Sequence, residues 1–197
     1  MIDIEIMQDA SEIIHYDSPE ISYAVQERLL SNYTDMRALC HWHDDVELLY
    51  IFDGEMNYDV NGRHYLFKKG DTIFINSRQL HYGYDQDQHE CEFMVVLIHP
   101  ELLKASNYMY RRYVLPILNY ATDIVIIENN SPSGAVLAQL FENIRLCRKQ
   151  DKSCHEFQLL GYFYEMWSIL YENCNIEDNV TSNQENPDIQ IQKQMVS

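Results

Sequence analysis

Residues 55–67 read Glu55-Met56-Asn57-Tyr58-Asp59-Val60-Asn61-Gly62-Arg63-His64-Tyr65-Leu66-Phe67. Apolar residues alternate around Asn61-Gly62, a dipeptide that tolerates the positive φ angles required at both central positions of a type I′ turn. The stretch predicts a β-hairpin joining Met56-Tyr58-Val60 to His64–Phe67. The pattern continues on either side. Val46 to Phe52 is a strongly β-forming run stopped by Asp53-Gly54, and Asp71 to Asn76 and Cys91 to Ile98 are two more. From about Glu12 to Pro100 the chain reads as an antiparallel all-β unit of at least five or six strands, which must close or stack to hide their edges.

After Pro100 the period changes. Leu137, Leu140, Phe141 and Ile144 mark one helical face behind Ser131-Pro132-Ser133, predicting a helix from Ser133 to Lys149. His155 to Asn173 predicts a second helix with two apolar faces, Phe157, Leu160, Tyr164, Trp167 and Tyr171 on one and Leu159, Phe163, Met166 and Leu170 on the other. Such a helix needs two partners. The β unit supplies one; the other is a second subunit or the segment Leu102 to Tyr120. An exposed stripe of Leu159, Phe163, Met166 and Leu170 exceeds what a monomer normally shows, so these four are the expected contact of a two-fold homodimer. The chain thus divides into a strand-built unit over 1–100, a helical dimerisation segment over 101–173 and a tail over 174–197. That tail reads as an Asn- and acid-rich linker followed, from Ile189, by the start of a helix belonging to a further domain.

The 197 residues carry 14 Lys+Arg against 31 Asp+Glu, a formal charge of -17. Such a chain repels phosphate backbones, which excludes nucleic-acid binding by these residues alone. With 46% hydrophobic residues and only 6 Gly and 5 Pro it can bury a core. Five cysteines without a CxxC pair read as reduced thiols, and neither a basic N-terminal flank nor an apolar run of about 20 residues is present, so the cytoplasm is the expected compartment.

The chemistry-bearing stretch is His41-Trp42-His43-Asp44-Asp45-Val46-Glu47, with Gly54 seven residues on. On an extended strand His41, His43 and Glu47 share parity and point to one face, and two imidazoles with a carboxylate on one wall are a metal-ligand set. Gly70 to His81 offers a fourth member, delivering His81 from a buried strand through a short corner. Plainer uses stand beside the metal: the histidines line a barrel mouth or hydrogen-bond within it, Glu47 pairs with a basic side chain such as Arg37, and His81 is a satisfied core histidine.

HxHxxxExxxxxxG followed by GxxxxxNxRxxH resembles the two cupin motifs, whose histidines and glutamate ligate a divalent metal in a small double-stranded β-helix barrel. The departures are Asp35 where a glycine is expected, Asn76 and Arg78 in place of Pro and Gly, and Asp85 in place of Asn. A closer resemblance is to the sensor half of AraC-type transcription regulators, carried by His43-Asp44-Asp45-Val46-Glu47-Leu48-Leu49-Tyr50, Gly54, Gly70-Asp71 and His81 and covering about Arg37 to Pro100. It implies a mainly β chain with C-terminal α: a cupin-like barrel followed by a helical pair. It further implies a small-molecule effector bound by His41, His43, Glu47, His81 and Arg37, a homodimer, and DNA contact only through a separate helix-turn-helix domain. In that reading the chain is no enzyme and no metal is favoured. The rival is a metal-dependent cupin enzyme, a dioxygenase or sugar isomerase, with His41, His43, Glu47 and His81 as ligands.

Overall fold

The computed structural model describes residues 4–120, 123–150 and 153–174. Within them run β1 (Tyr23–Leu29), β2 (Val46–Val60), β3 (Arg63–Lys68), β4 (Thr72–Ile75), β5 (His81–Tyr84), β6 (Cys91–Ile98), the short helices α1 (Asn107–Met109) and α2 (Leu115–Tyr120) joined by a π turn over Tyr110–Val114, then β7 (Ile124–Ile127), α3 (Pro132–Lys149) and α4 (His155–Asn173).

All strand pairs are antiparallel, and β2 takes part in four of the ladders. Its first half lies between β6 and β4 in the order β1-β6-β2-β4-β7, and its second half pairs with β3 and β5. Asp53-Gly54, expected to stop a strand, instead bends one: the β2–β6 register shifts between Ile51 and Asp53, and Gly54 has φ +80°. A Cβ there would stand 2.2 Å from the Glu90 carbonyl, so the bend admits only glycine. The Asn61-Gly62 turn forms as expected, with φ +52° and +77°.

Because side chains alternate across a strand, this sheet has two apolar faces and builds two cores. Leu49, Ile51, Ile73, Ile75, Phe93, Val95 and Leu97 point into the barrel, whereas Val46, Leu48, Phe74, Met94, Val96 and Ile98 point outward to the helices. α4 answers the outward face: Phe163 meets Tyr23 edge-on at 5.3 Å and Trp167 meets Phe74 at 6.0 Å. Leu159, Phe163, Met166 and Leu170 are therefore buried core of this same chain, and the expected dimer stripe is corrected. The residues after Pro100 cover the other face: Trp167 Nε1 donates to the Tyr113 carbonyl at 3.0 Å and the Tyr164 hydroxyl to that of Leu102 at 3.1 Å.

α3 begins at Pro132, capped by the Ser131 hydroxyl, which accepts from the Gly134 N–H at 2.9 Å. Between the helices β7, a run of β-branched Ile124-Val125-Ile126-Ile127, pairs with β4, so the sheet does not end at residue 100. The expected linker and helix start beyond Cys174 lie outside the described residues.

Candidate functional site

His41 and His81 form an antiparallel bridge, His41 N–H donating to the His81 carbonyl at 3.1 Å and His81 N–H to the His41 carbonyl at 2.8 Å. Their rings stand side by side with centroids 4.4 Å apart, and His43 brings its ring to 5.1 Å from that of His81. Glu47 points inward from β2, opposite the Leu97 position of β6. All four residues are buried.

A backbone carbonyl fixes each imidazole through Nδ1: Leu39 for His41 at 2.7 Å, Asp45 for His43 at 3.0 Å and Gln79 for His81 at 2.8 Å. A carbonyl only accepts, so Nδ1 carries the proton, and Nε2 of a neutral ring presents its lone pair to the interior. His43 Nε2 and His81 Nε2 face Glu47 Oε2 at 3.5 and 3.4 Å, and both nitrogens are buried without a hydrogen-bond partner. Glu47 Oε1 accepts from the Tyr58 hydroxyl at 2.9 Å. His41 Nε2 faces Glu12 Oε2 at 3.2 Å.

Lone pairs aimed at a carboxylate repel it unless a proton or a cation lies between. Burial opposes ionisation of Glu47, yet the two imidazoles that face it, His81 foremost, hold its carboxyl well below the usual range. Burial likewise opposes the charged form of His43, but Glu47 and Glu12 raise it overall. His41 is pushed down to about 3, by burial and then by His81, and burial lifts Glu12 to about 7. Three imidazoles offering nitrogens within 4.8 Å of one another, their outer nitrogens already tied to carbonyls, and a carboxylate facing two of them fit a divalent transition metal. Separations of 3.4–3.5 Å between Glu47 and two rings match neighbouring ligands held by bonds of about 2.1 Å.

His41 and Glu47 of this group line a cavity of about 210 Å³ inside the barrel. Leu49, Met56, Phe93, Val95 and Leu97 give it apolar surface, and Glu5, Glu12, Gln26, Arg28, Tyr33 and Tyr58 give it polar surface. The N-terminal segment closes one side: Ile6 bridges Glu12, the Glu12 N–H donates to the Trp42 carbonyl at 2.8 Å, and Ile4, Ile13 and His15 join the lining. Thus His41, His43, Glu47 and His81 come together as their spacing predicts. Arg37 does not join them. It is exposed, its guanidinium lies 4.6 Å over the Tyr82 ring and 5.6 Å from that of Tyr84, and the expected Arg37–Glu47 pairing gives way to His43, His81 and Tyr58.

A family model, the AraC-like ligand binding domain, matches residues 24–166, most of the strands and both long helices. The chain belongs to the AraC-like ligand-binding domain family. As a member it is similar to an HTH-type transcriptional regulator of Bacillus subtilis, YdeC, described as uncharacterized, at 22% identity over 170 residues, covering 85% of this chain and 58% of the relative. Among solved structures it resembles ToxT of Vibrio cholerae with an unsaturated fatty acid bound, at TM-score 0.53 and 12% identity, over 84% of this chain and 58% of that one. Apo ToxT K231A gives 0.50 at 13% identity, over 79% and 59%. The AraC-like domain therefore has a regulator's sensor fold, and the chain spans under two thirds of each of these relatives. Among the described residues no helix is long and apolar enough to cross a membrane.

Reading the sequence missed three members of this site. Glu12 arrives from a segment with no repeat or motif. Arg28 and Tyr58 had a signal, since alternation along Tyr23–Leu29 and along Met56-Tyr58-Val60 assigns both to the inner face.

Proposed function

We propose that this chain is the effector-sensing module of a cytoplasmic AraC-type transcription regulator, controlling a helix-turn-helix DNA-binding domain that lies outside these residues. The observation carrying this reading is the barrel cavity, lined by both apolar side chains and convergent polar groups and roofed by the N-terminal segment, a concave place for a small molecule. An effector inside it favours one arrangement of roof, barrel and helices, and that difference in affinity is what a linked DNA-binding domain reads.

The His41, His43, His81 and Glu47 centre would hold a divalent transition metal beside the cavity, where it would supply a Lewis-acid point. The same donor set favours, as a second reading, a metal-dependent dioxygenase or isomerase. The module pairs as a homodimer through the outer surface of α4, where Phe157 is 81% and Tyr164 38% exposed.

The test is thermal unfolding of the chain against a panel of small metabolites. A binder raises Tm, and Val95→Trp, which fills the cavity, removes the rise. A rise that persists in Val95→Trp places the ligand elsewhere, and conversion of the binder to product favours the enzyme.

A further inference from the structure

Along β1 the alternation sends Tyr23 and Val25 to the helices and Glu27 to Arg145, 3.0 Å away, whereas Ala24, Gln26 and Arg28 face the barrel. Arg28 is half-buried in the cavity wall. Its Nη2 donates to Gln26 Oε1 at 2.8 Å and the Tyr33 hydroxyl stands beside it, while its Nε–H is buried with no acceptor. Among the described residues no carboxylate lies within 4.0 Å of it. Arg37, Arg63, Lys68, Arg111, Arg112 and Lys149 lack one too, but those six are exposed to water, whereas Arg28 is held in the cavity wall. Glu12 shares the cavity but turns its carboxylate to His41. A desolvated guanidinium with an unmet donor at a cavity wall is a socket for an anion.

Register fixes where that socket lies. Arg28 is paired with Phe93 and Glu47 with Leu97 on the two flanks of β6, four residues and so about 13 Å apart along the strand. The Arg28 and Glu47 backbones are thus offset along the strand, with Leu49, Met56 and Val95 in the same lining, while Glu12, its carboxylate turned to His41, is near enough to feel the Arg28 charge.

We infer that the effector is a small organic anion with an apolar body, its acid group docked on Arg28 and its body lying on Leu49, Met56 and Val95 towards the histidine centre. This rests on the effector-sensing reading and names the class of ligand that reading leaves open. Carboxylate and phosphate share the chemistry, so the probes include both.

Titration calorimetry of the whole chain with hexanoate, hexyl phosphate and hexanamide tests it. Hexanoate or hexyl phosphate, whichever acid the socket takes, is expected to bind at least about tenfold more tightly than the amide, the size of one charged hydrogen bond. Arg28→Gln should abolish that preference, and Arg28→Lys should restore part of it while both variants keep the native circular dichroism. Equal affinity for acid and amide, or a preference that survives Arg28→Gln, overturns the anion assignment. Should all three probes fail while a neutral metabolite binds and is lost in Val95→Trp, the anion class falls and the sensing site stands. If Val95→Trp leaves every binder unaffected, both fall.

Discussion

His81 Nε2 stands 3.4 Å from Glu47 Oε2, with its Nδ1 already donating to the Gln79 carbonyl. The imidazole and carboxylate come from different strands, neither is exposed, and the ring nitrogen has no proton-bearing partner among the described residues. A buried carboxylate this close to two imidazoles holds its charge because a cation sits among them, a proton on His43 or a metal ion shared by the set.

Elemental analysis of protein purified without chelator should give about one divalent transition metal per chain. His81→Ala and Glu47→Gln should each weaken it by about tenfold or more, since each removes a ligand. Metal-free protein whose Tm does not move when zinc, manganese, iron or nickel is added would show that protons alone balance Glu47.

In metal-free protein the Glu12 carboxyl has a folded pKa of about 7 against an ordinary value of 4.5. The folded state then binds the extra proton between those values, so this group's contribution to stability falls as pH rises from about 4.5 to 7. Glu12→Gln removes that fall. Relative to the parent it should gain on the order of 2–3 kcal/mol between pH 4.5 and 8, measured by urea unfolding with chelator present. A constant difference across that range would mean that Glu12 is ionised throughout.

Phe163→Ala should cost about 3–5 kcal/mol, because its ring is enclosed between α4 and β1. Replacing Phe163 and Met166 together by Glu should unfold the chain. Phe157→Asp, on the exposed face, should keep the fold and yield a monomer by sedimentation. A Phe157→Asp variant that remains dimeric moves the interface off α4.

The hairpin turn was legible because positive φ at Asn61-Gly62 is local chemistry; the spacing of the centre was legible too, although His41 and His43 precede β2 and a bend at Asp44-Asp45, not one continuous strand, joins them to Glu47. The destination of the α4 stripe was not, because a two-faced helix reads identically whether its second partner is a subunit or a sheet. The deciding fact is that β2, β4 and β6 are apolar on both faces, so their outer face gives α4 a partner within the chain. Arg37 was misplaced by proximity in sequence, its guanidinium lying instead over the Tyr82 ring. Alternation along Tyr23–Leu29 puts Arg28 on the inner face, but the long-range β1–β6 pairing that brings that face into the barrel has no local pattern.

The central claim is that occupancy of the barrel cavity changes what the regulator does on DNA. The most direct measurement is the affinity of the full-length protein for its own upstream DNA, by fluorescence anisotropy at fixed salt, with and without a compound that stabilises this chain. The account predicts that the compound shifts DNA affinity or the spacing of protected half-sites in the parent, and that Val95→Trp binds DNA but no longer responds. A compound that fills the cavity and leaves DNA occupancy unchanged, or a Val95→Trp protein that responds like the parent, would contradict it.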